Sequence, residues 1–414
     1  MSKTLVVIGG GAAGFFCAIN AARLNPQLQV IILEKTAKLL SKVKVSGGGR
    51  CNVTHNCSSV TELARQYPRG QQFLKKAFAH FAVADTIRWF EERGVTLKAE
   101  PDGRMFPVTD SSQAIIDCFL REASRYQVQI RQRWDVKQIR KTGNCFEIVS
   151  SENGKATADY VCVACGGFPK KEQFGWLEQL GHSIEEPVPS LFTFNMPSNP
   201  VTELMGVSVT QATARVAASK LYESAPLLIT HWGMSGPAIL RLSAWGARFL
   251  YEKGYHFTTL VHWLPEHSEE SIRSELQKIR FALPTQKMTN ANLFHLPQRL
   301  WLYLLNKAGI SQDLRWADLP GKEQNRLIKL LTNDEYTVQG KTTFKEEFVT
   351  CGGIKLTEMD PNTMESRLIS NLFFAGEVLD ADGITGGFNF QHAWTSGWLA
   401  ALTISLRSAD AEKP

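Results

Sequence analysis

The chain opens on a short unbroken apolar run, Thr4-Leu5-Val6-Val7-Ile8, the pattern of a strand buried on both faces of a parallel sheet. A glycine-rich turn follows at once. Ala12 to Leu24 then reads as a helix that Asn25-Pro26 ends, and Gln29 to Leu33 as a second apolar strand closed by Glu34. That βαβ unit predicts an α/β fold of the doubly wound, Rossmann-like kind. Val161-Cys162-Val163-Ala164 and Leu372-Phe373-Phe374 are further short apolar runs that lead into glycine-rich turns, and a helix is expected from about Phe388 or Asn389 toward Leu406. Between these ends the period changes twice. Residues from about 191 to 262 alternate loosely, through Val207, Val209 and Ala212 to Val216, and look strand-rich. Ile272, Leu276, Ile279, Leu300, Leu304 and Leu305 recur at helical spacing, and a strand-like stretch from Tyr336 to Phe344 follows.

Length and composition narrow the class. At 414 residues, with 43% hydrophobic and 21% charged, the chain is expected to form two or three globular domains, not a disordered, collagenous or coiled-coil protein. No apolar run approaches the roughly 18 uncharged residues of a membrane span, so no membrane association is expected. Eight cysteines are too sparse for a disulfide scaffold, and the first residues run straight into a strand, so the expectation is a cytoplasmic protein with free thiols. The net charge of +6 is spread along the chain. Arg131, Arg133, Lys137, Arg140 and Lys141 read as a solvated face, and nucleic acid is not expected as a partner.

Three glycine clusters carry the chemistry. Gly9-Gly10-Gly11-Ala12-Ala13-Gly14 satisfies G-x-G-x-x-G between strand and helix. Gly9 permits the turn, Gly11 lets backbone approach a pyrophosphate, and Gly14 lets helix pack on strand. Glu34 stands where an acid accepts from a ribose 2′-hydroxyl, which favours FAD or NAD over NADP. Ser46-Gly47-Gly48-Gly49-Arg50-Cys51-Asn52 is a second bare loop, whose Arg50 offers a charge for phosphate or carboxylate. The third runs from Asp380 to Gly387 through Gly383, Gly386 and Gly387, just before the final helix. A helix start there can set N–H groups against the flavin edge that gains negative charge on reduction, so FAD is the expected cofactor.

With these segments in hand, the chain resembles the YhiN/BaiN-like family of FAD-dependent oxidoreductases, which includes aminoacetone-oxidase-like flavoproteins. The resemblance spans nearly the whole length. It rests on Ser46 to Thr54, on Thr230-His231-Trp232-Gly233-Met234-Ser235-Gly236-Pro237-Ala238-Ile239-Leu240, on Thr350-Cys351-Gly352-Gly353 and on Ala375 to Asn389. It implies a two-dinucleotide-fold flavoprotein with an inserted β-rich domain and a small helical domain. The expected FAD domain is 1–190 with 346–414, the β-rich domain 191–265 with 332–345, and the helical domain 266–331. Expected cofactor contacts are Gly9, Gly11, Ala12, Ala13, Gly14, Glu34, Lys35, Ser46, Gly47, Gly48, Gly49, Arg50, Cys51, Asn52, Val136, Ala164, Cys165, Gly166, Gly376, Glu377, Asp380, Gly386, Gly387, Phe388 and Asn389. After Gly166-Gly167 the family tends to continue Ser-Tyr-Pro and then Ser-Thr-Gly-Asp-Gly. This chain has Phe168-Pro169-Lys170-Lys171-Glu172-Gln173-Phe174-Gly175-Trp176 instead. That change is expected to alter the loop beside the flavin and hence the substrate.

Other patterns weigh less. Cys162 and Cys165 have C-x-x-C spacing, but three residues along a strand puts them on opposite faces, whereas redox pairs start helices. Cys51, His55 and Cys57 lack a partner pair for zinc, and no metal is expected. Pro237 spoils a G-x-S-x-G reading at Ser235. His392 reads as a packing or capping histidine before an acid or base, and no catalytic residue is assigned. The function expected is passage of hydride between a small organic substrate and flavin, in a reductase using NAD(P)H as transient reductant. The alternatives are an amine oxidase discharging to O₂ and a flavin-bearing RNA-modifying or RNA-binding protein.

Overall fold

The computed structural model describes residues 3–342 and 349–410, so the end of the expected Tyr336–Phe344 strand and the 345/346 boundary lie outside the described residues. The chain divides into two compact units, Met1–Pro189 with Phe344–Pro414, and Ser190–Thr343.

The first unit is built on a five-stranded parallel sheet. Its order is Leu372–Phe374, Tyr160–Val163, Thr4–Ile8, Gln29–Glu34, Gln129–Gln132. Ile8 is in register with both Leu33 and Val163, and Val163 with Phe374. The carboxyl ends of four strands therefore finish level. Gly9, Glu34, Ala164 and Ala375 emerge along one edge, the place where open α/β sheets bind ligands. The first helix, Ala12–Leu24, buries ten consecutive residues from Ala13 to Ala22, because it packs on the sheet and against the final helix, Phe388–Asp410. Phe15, Phe16, Trp89, Phe90, Phe119 and Trp394 fill that side with tilted and edge-on rings at centroid distances of 4.6 to 6.4 Å.

The second unit is a seven-stranded antiparallel sheet with helices. The helices Glu269–Ala282, Gln298–Ala308 and Gly321–Thr332 share one hydrophobic core with the strands, running from Phe192 to Val338 through Trp263, Trp301 and Trp316. Within the stretch read as strand-rich, Pro237–Trp245 and Ala247–Glu252 are helices. In the first unit, Arg140 pairs with Glu147 and Lys137 with Asp135 at the surface.

Candidate functional site

Two glycines of the first cluster do different work. A Cβ on Gly14 would run into the Gly9 carbonyl, so glycine there lets the helix sit on the turn. Gly11 has φ −97° and ψ −169°, open to any residue, and no atom lies within 4 Å of where its Cβ would stand. The fold places no steric demand for glycine at 11. A ligand lying on that backbone would, and Ala12 and Ala13 begin the helix whose first N–H groups lack helical partners. The C-terminal strand exit closes on the same turn: a Cβ on Gly376 would stand 2.9 Å from that of Ala13.

Beside the turn lies a cavity of about 420 Å³. Gly9, Glu34, Lys35, Val136 and Cys165 line it together with Trp134, Phe168, Gln173 and Trp176. Glu34 is already at work in its wall. One carboxylate oxygen accepts from the Gly10 N–H at 2.8 Å and the other from the Thr36 N–H and hydroxyl, each at 2.8 Å. The oxygen that accepts from Gly10 keeps a lone-pair site for a further donor, so bracing the turn and meeting a ribose are compatible. Burial pushes the Cys165 thiol up to about 12, and the neighbouring Cys17 together with burial raises the Cys162 thiol. The Phe168–Trp176 departure folds as a 3₁₀ turn (Lys171–Phe174) and a one-turn helix (Gly175–Glu178) over this cavity, beside Glu34 and Val136.

The second cluster ends a helix, Ser41–Gly49, whose backbone leaves helical geometry at Ser46 and turns left-handed at Gly47 and Gly48. No atom stands within 4 Å of a Cβ on Gly48, Gly49 or Gly166. Cys51 is fully buried beneath the loop with φ +62°, and burial raises its thiol to about 12. The Arg50 guanidinium donates to Glu100 at 2.6 Å and lies 3.9 Å over the Phe106 ring.

The third cluster is pinned from several sides. Asn389 donates to the Gly383 carbonyl and accepts from its N–H, at 2.9 and 2.8 Å. Ile384 N–H donates to Gln66, and Tyr67 donates to the Phe388 carbonyl at 2.6 Å. Fully buried Asp382 takes both arms of Arg69. The Asn52 amide accepts from the Gly387 N–H and donates to the Thr54 carbonyl, 3.0 Å each. That last bond corrects the donor assignment: Gly387's N–H is engaged, and the helix-start donors fall to Phe388, Asn389 and Phe390.

The remaining expected residues group nearby. Glu377 joins Lys42 to the Thr350 N–H, Gly376 N–H donates to Ser396, Ser46 donates to the Val43 carbonyl, and Asp380 N–H donates to Ile354. Sequence reasoning missed Arg69 and Tyr67 at this loop; only Asp382, an acid inside a glycine-rich loop, carried a visible signal. His392 is 1% exposed, burial lowers it to about 4, and its Nε2 finds no partner among the described residues. Among the described residues no group of three or more His, Cys, Asp or Glu could hold a metal, and no helix is long and apolar enough to cross a membrane.

The sequence matches the HI0933-like protein Rossmann domain over residues 3–403. The chain belongs to that family. This HI0933-like chain is 28% identical over 413 residues to a 3-dehydro-bile acid delta(4,6)-reductase of Clostridium scindens, covering 97% of this chain and 98% of the relative. It is 31% identical over 409 residues to a ribosomal RNA dihydrouridine synthase of Escherichia coli, covering 96% and 97%. Among solved structures, the 3-ketosteroid delta1-dehydrogenase of Sterolibacterium denitrificans aligns with a TM-score of 0.54 at 13% identity, over 98% of this chain and 100% of that one, which shows a shared fold. The HI0933-like chain is an oxidoreductase of the FAD-dependent class.

Proposed function

We propose that the protein binds FAD non-covalently and reduces a carbon–carbon double bond conjugated with a carbonyl in a small organic molecule, drawing electrons from a transiently bound NAD(P)H. The observation that carries the cofactor half is Gly11: a glycine the fold does not need, at a helix start, facing open space beside a 420 Å³ cavity. When bound, FAD supplies a two-electron carrier between nicotinamide and substrate. The turn at Gly9–Gly14 and the helix start would hold its pyrophosphate, and Glu34 its ribose. The pinned Gly383–Asn389 loop would present the Phe388 and Asn389 N–H groups to the ring edge that becomes negative on reduction.

The reaction class draws on what two relatives share. The names 3-dehydro-bile acid delta(4,6)-reductase and ribosomal RNA dihydrouridine synthase both fit reduction of a carbon–carbon double bond, and that supports the reaction class proposed for this chain. Hydride adds to the β-carbon and a proton to the α-carbon, so each double bond consumes one NAD(P)H and one proton. The test is anaerobic stopped-flow absorbance of the holoprotein. Bleaching by NADH or NADPH followed by reoxidation with a steroid-like enone supports the reading; bleaching by amines, with no response to either nicotinamide, would replace it with the amine oxidase.

A second reading has one observation in its favour, the 31% identity to the ribosomal RNA enzyme over nearly the whole chain. In it the conjugated double bond belongs to a uridine in RNA. An electrophoretic shift with ribosomal RNA fragments and tRNA separates the two, since a small-molecule reductase gives none. A cytoplasmic location belongs to both readings and is checked by cell fractionation.

A further inference from the structure

His55 sits in a slot built for an imidazole. A Cβ on Gly103 would strike the ring, so a glycine with φ +86° makes the room on one side. On the other side the ring stacks on Phe388, with centroids 4.6 Å apart and planes 26° from parallel. Its Nδ1 lies 3.1 Å from the Gly386 carbonyl oxygen, which can only accept, so Nδ1 carries the proton and donates. The neighbouring Asn52 holds the Gly387 N–H at the same point. Two side chains, His55 of the Thr54–His55 strand and Asn52 just before it, thus fix three consecutive residues, Gly386, Gly387 and Phe388, at the N-terminus of the final helix.

We propose that His55 is a positioning residue for the flavin ring: its Nδ1–H bond and its stack on Phe388 set the direction in which the first N–H groups of the final helix point. The inference rests on the FAD reading above and assigns His55 no contact with the cofactor. Helix-start donors favour the reduced, negatively charged ring more than the oxidised one. A change in their aim therefore alters the ratio of the two affinities, which a redox titration reads directly.

Three variants separate the contributions. His55→Phe keeps an aromatic ring in the slot and loses the donor. His55→Asn restores a donor near the Nδ1 position without the ring. Phe388→Leu leaves the imidazole and its hydrogen bond and removes the stack. The FAD content, melting temperature and flavin reduction potential of each purified holoprotein would be measured. The expected result is a tenfold loss of preference for reduced flavin in His55→Phe, equivalent to about 30 mV downward for a two-electron couple. His55→Asn is expected to recover most of that shift, and Phe388→Leu to show an intermediate one. A merely structural histidine would lower the melting temperature of both His55 variants and leave the potential of retained flavin unchanged, and that result overturns the proposal. If His55→Phe does not fold, an unchanged potential in both His55→Asn and Phe388→Leu overturns it equally. Failure of the wild-type protein to bind FAD would instead remove the cofactor reading, and this inference with it.

Discussion

Gly11 and Gly14 stand one turn apart and are glycines for different reasons, which makes them a matched pair of tests. Gly11→Val is expected to fold, because nothing occupies the space and the backbone suits any residue, yet to lose its flavin. Gly14→Ala drives a Cβ into the Gly9 carbonyl and should lower stability whether or not FAD is present. A folded Gly11→Val protein with full flavin content would remove the central claim about the turn. Glu34→Ala should weaken FAD by about 1.5–3 kcal/mol, the range for a hydrogen bond to a charged group. It also frees the Gly10 N–H and the Thr36 turn, so a fall in apoprotein stability should accompany the loss. Titration of both apoproteins with FAD, beside a urea curve for each, measures the two effects. His392 gives a pH signature. Its folded pKa, about 4, lies below the unfolded value near 6.5, so the unfolded chain binds the proton first as pH falls. The stability it contributes is whole above pH 6.5 and is lost progressively down to pH 4, to a total of about 3 kcal/mol. His392→Phe should flatten the urea-midpoint profile across that window; a profile as steep as the wild type's would place the acid sensitivity elsewhere. His182 acts with the same sign, since burial lowers it against the pull of Glu358. It also shows why geometry needs context. Ser366, His182 and Glu358 form a Ser–His–Glu chain with links of 3.2 and 3.1 Å, but the serine oxygen accepts from the N–H groups of Leu368 and Ile369 and is nearly buried, which is the work of a turn staple.

At the scale of elements, what was legible was what local pattern alone determines. Thr4–Ile8, Ala12–Leu24 and the start of the final helix at Phe388 coincide with the sequence reading, because each joins a continuous apolar or helical run to glycine or asparagine punctuation. The helices Pro237–Trp245 and Ala247–Glu252 were not separated from the surrounding strands. Ala238-Ile239-Leu240 is a short apolar run of the kind that serves either state, and the helix start rests on Pro237 at its first turn after Gly236. Arg50 has a partner that local pattern does not show: Glu100, fifty residues on, accepts from its guanidinium. Partners that distant in sequence leave no local trace, and the same holds for Arg69 with Asp382. The Phe168–Trp176 segment shows the reverse, a local difference visible in the sequence whose place in the fold, over the cavity beside Glu34, was not. Its placement predicts a measurement. Trp134 and Trp176 line the cavity, so FAD added to the apoprotein should quench tryptophan fluorescence, and Trp176→Phe should reduce both the quench and the affinity. An unaltered affinity in Trp176→Phe would mean that this wall does not touch the nucleotide.

The molecule as a whole assembles its candidate site from residues almost 400 positions apart, all within one compact unit. The parallel sheet makes this possible. Its central strands come from residues 4–8 and 160–163, while the edge strand at 372–374 and the final helix return from the far end to the same carboxyl edge. The chain between, Ser190–Thr343, has a core of its own that uses none of the dinucleotide turns. Ligand linkage then predicts where cofactor binding is felt. A ligand that binds only the folded state stabilises it by RT ln(1 + [L]/Kd), about 2.7 kcal/mol at a hundredfold excess over Kd. That energy belongs to the unit that holds the ligand. Hydrogen exchange with and without saturating FAD should therefore slow in peptides from Thr4–Glu34, Tyr160–Val163 and Phe388–Asp410, whose openings expose the site. Peptides from the Phe192 to Val338 core should keep their rates, because their local openings leave the cofactor bound. Equal slowing in both sets would show that the two units unfold as one cooperative body, and slowing confined to the second would put the cofactor elsewhere in the chain.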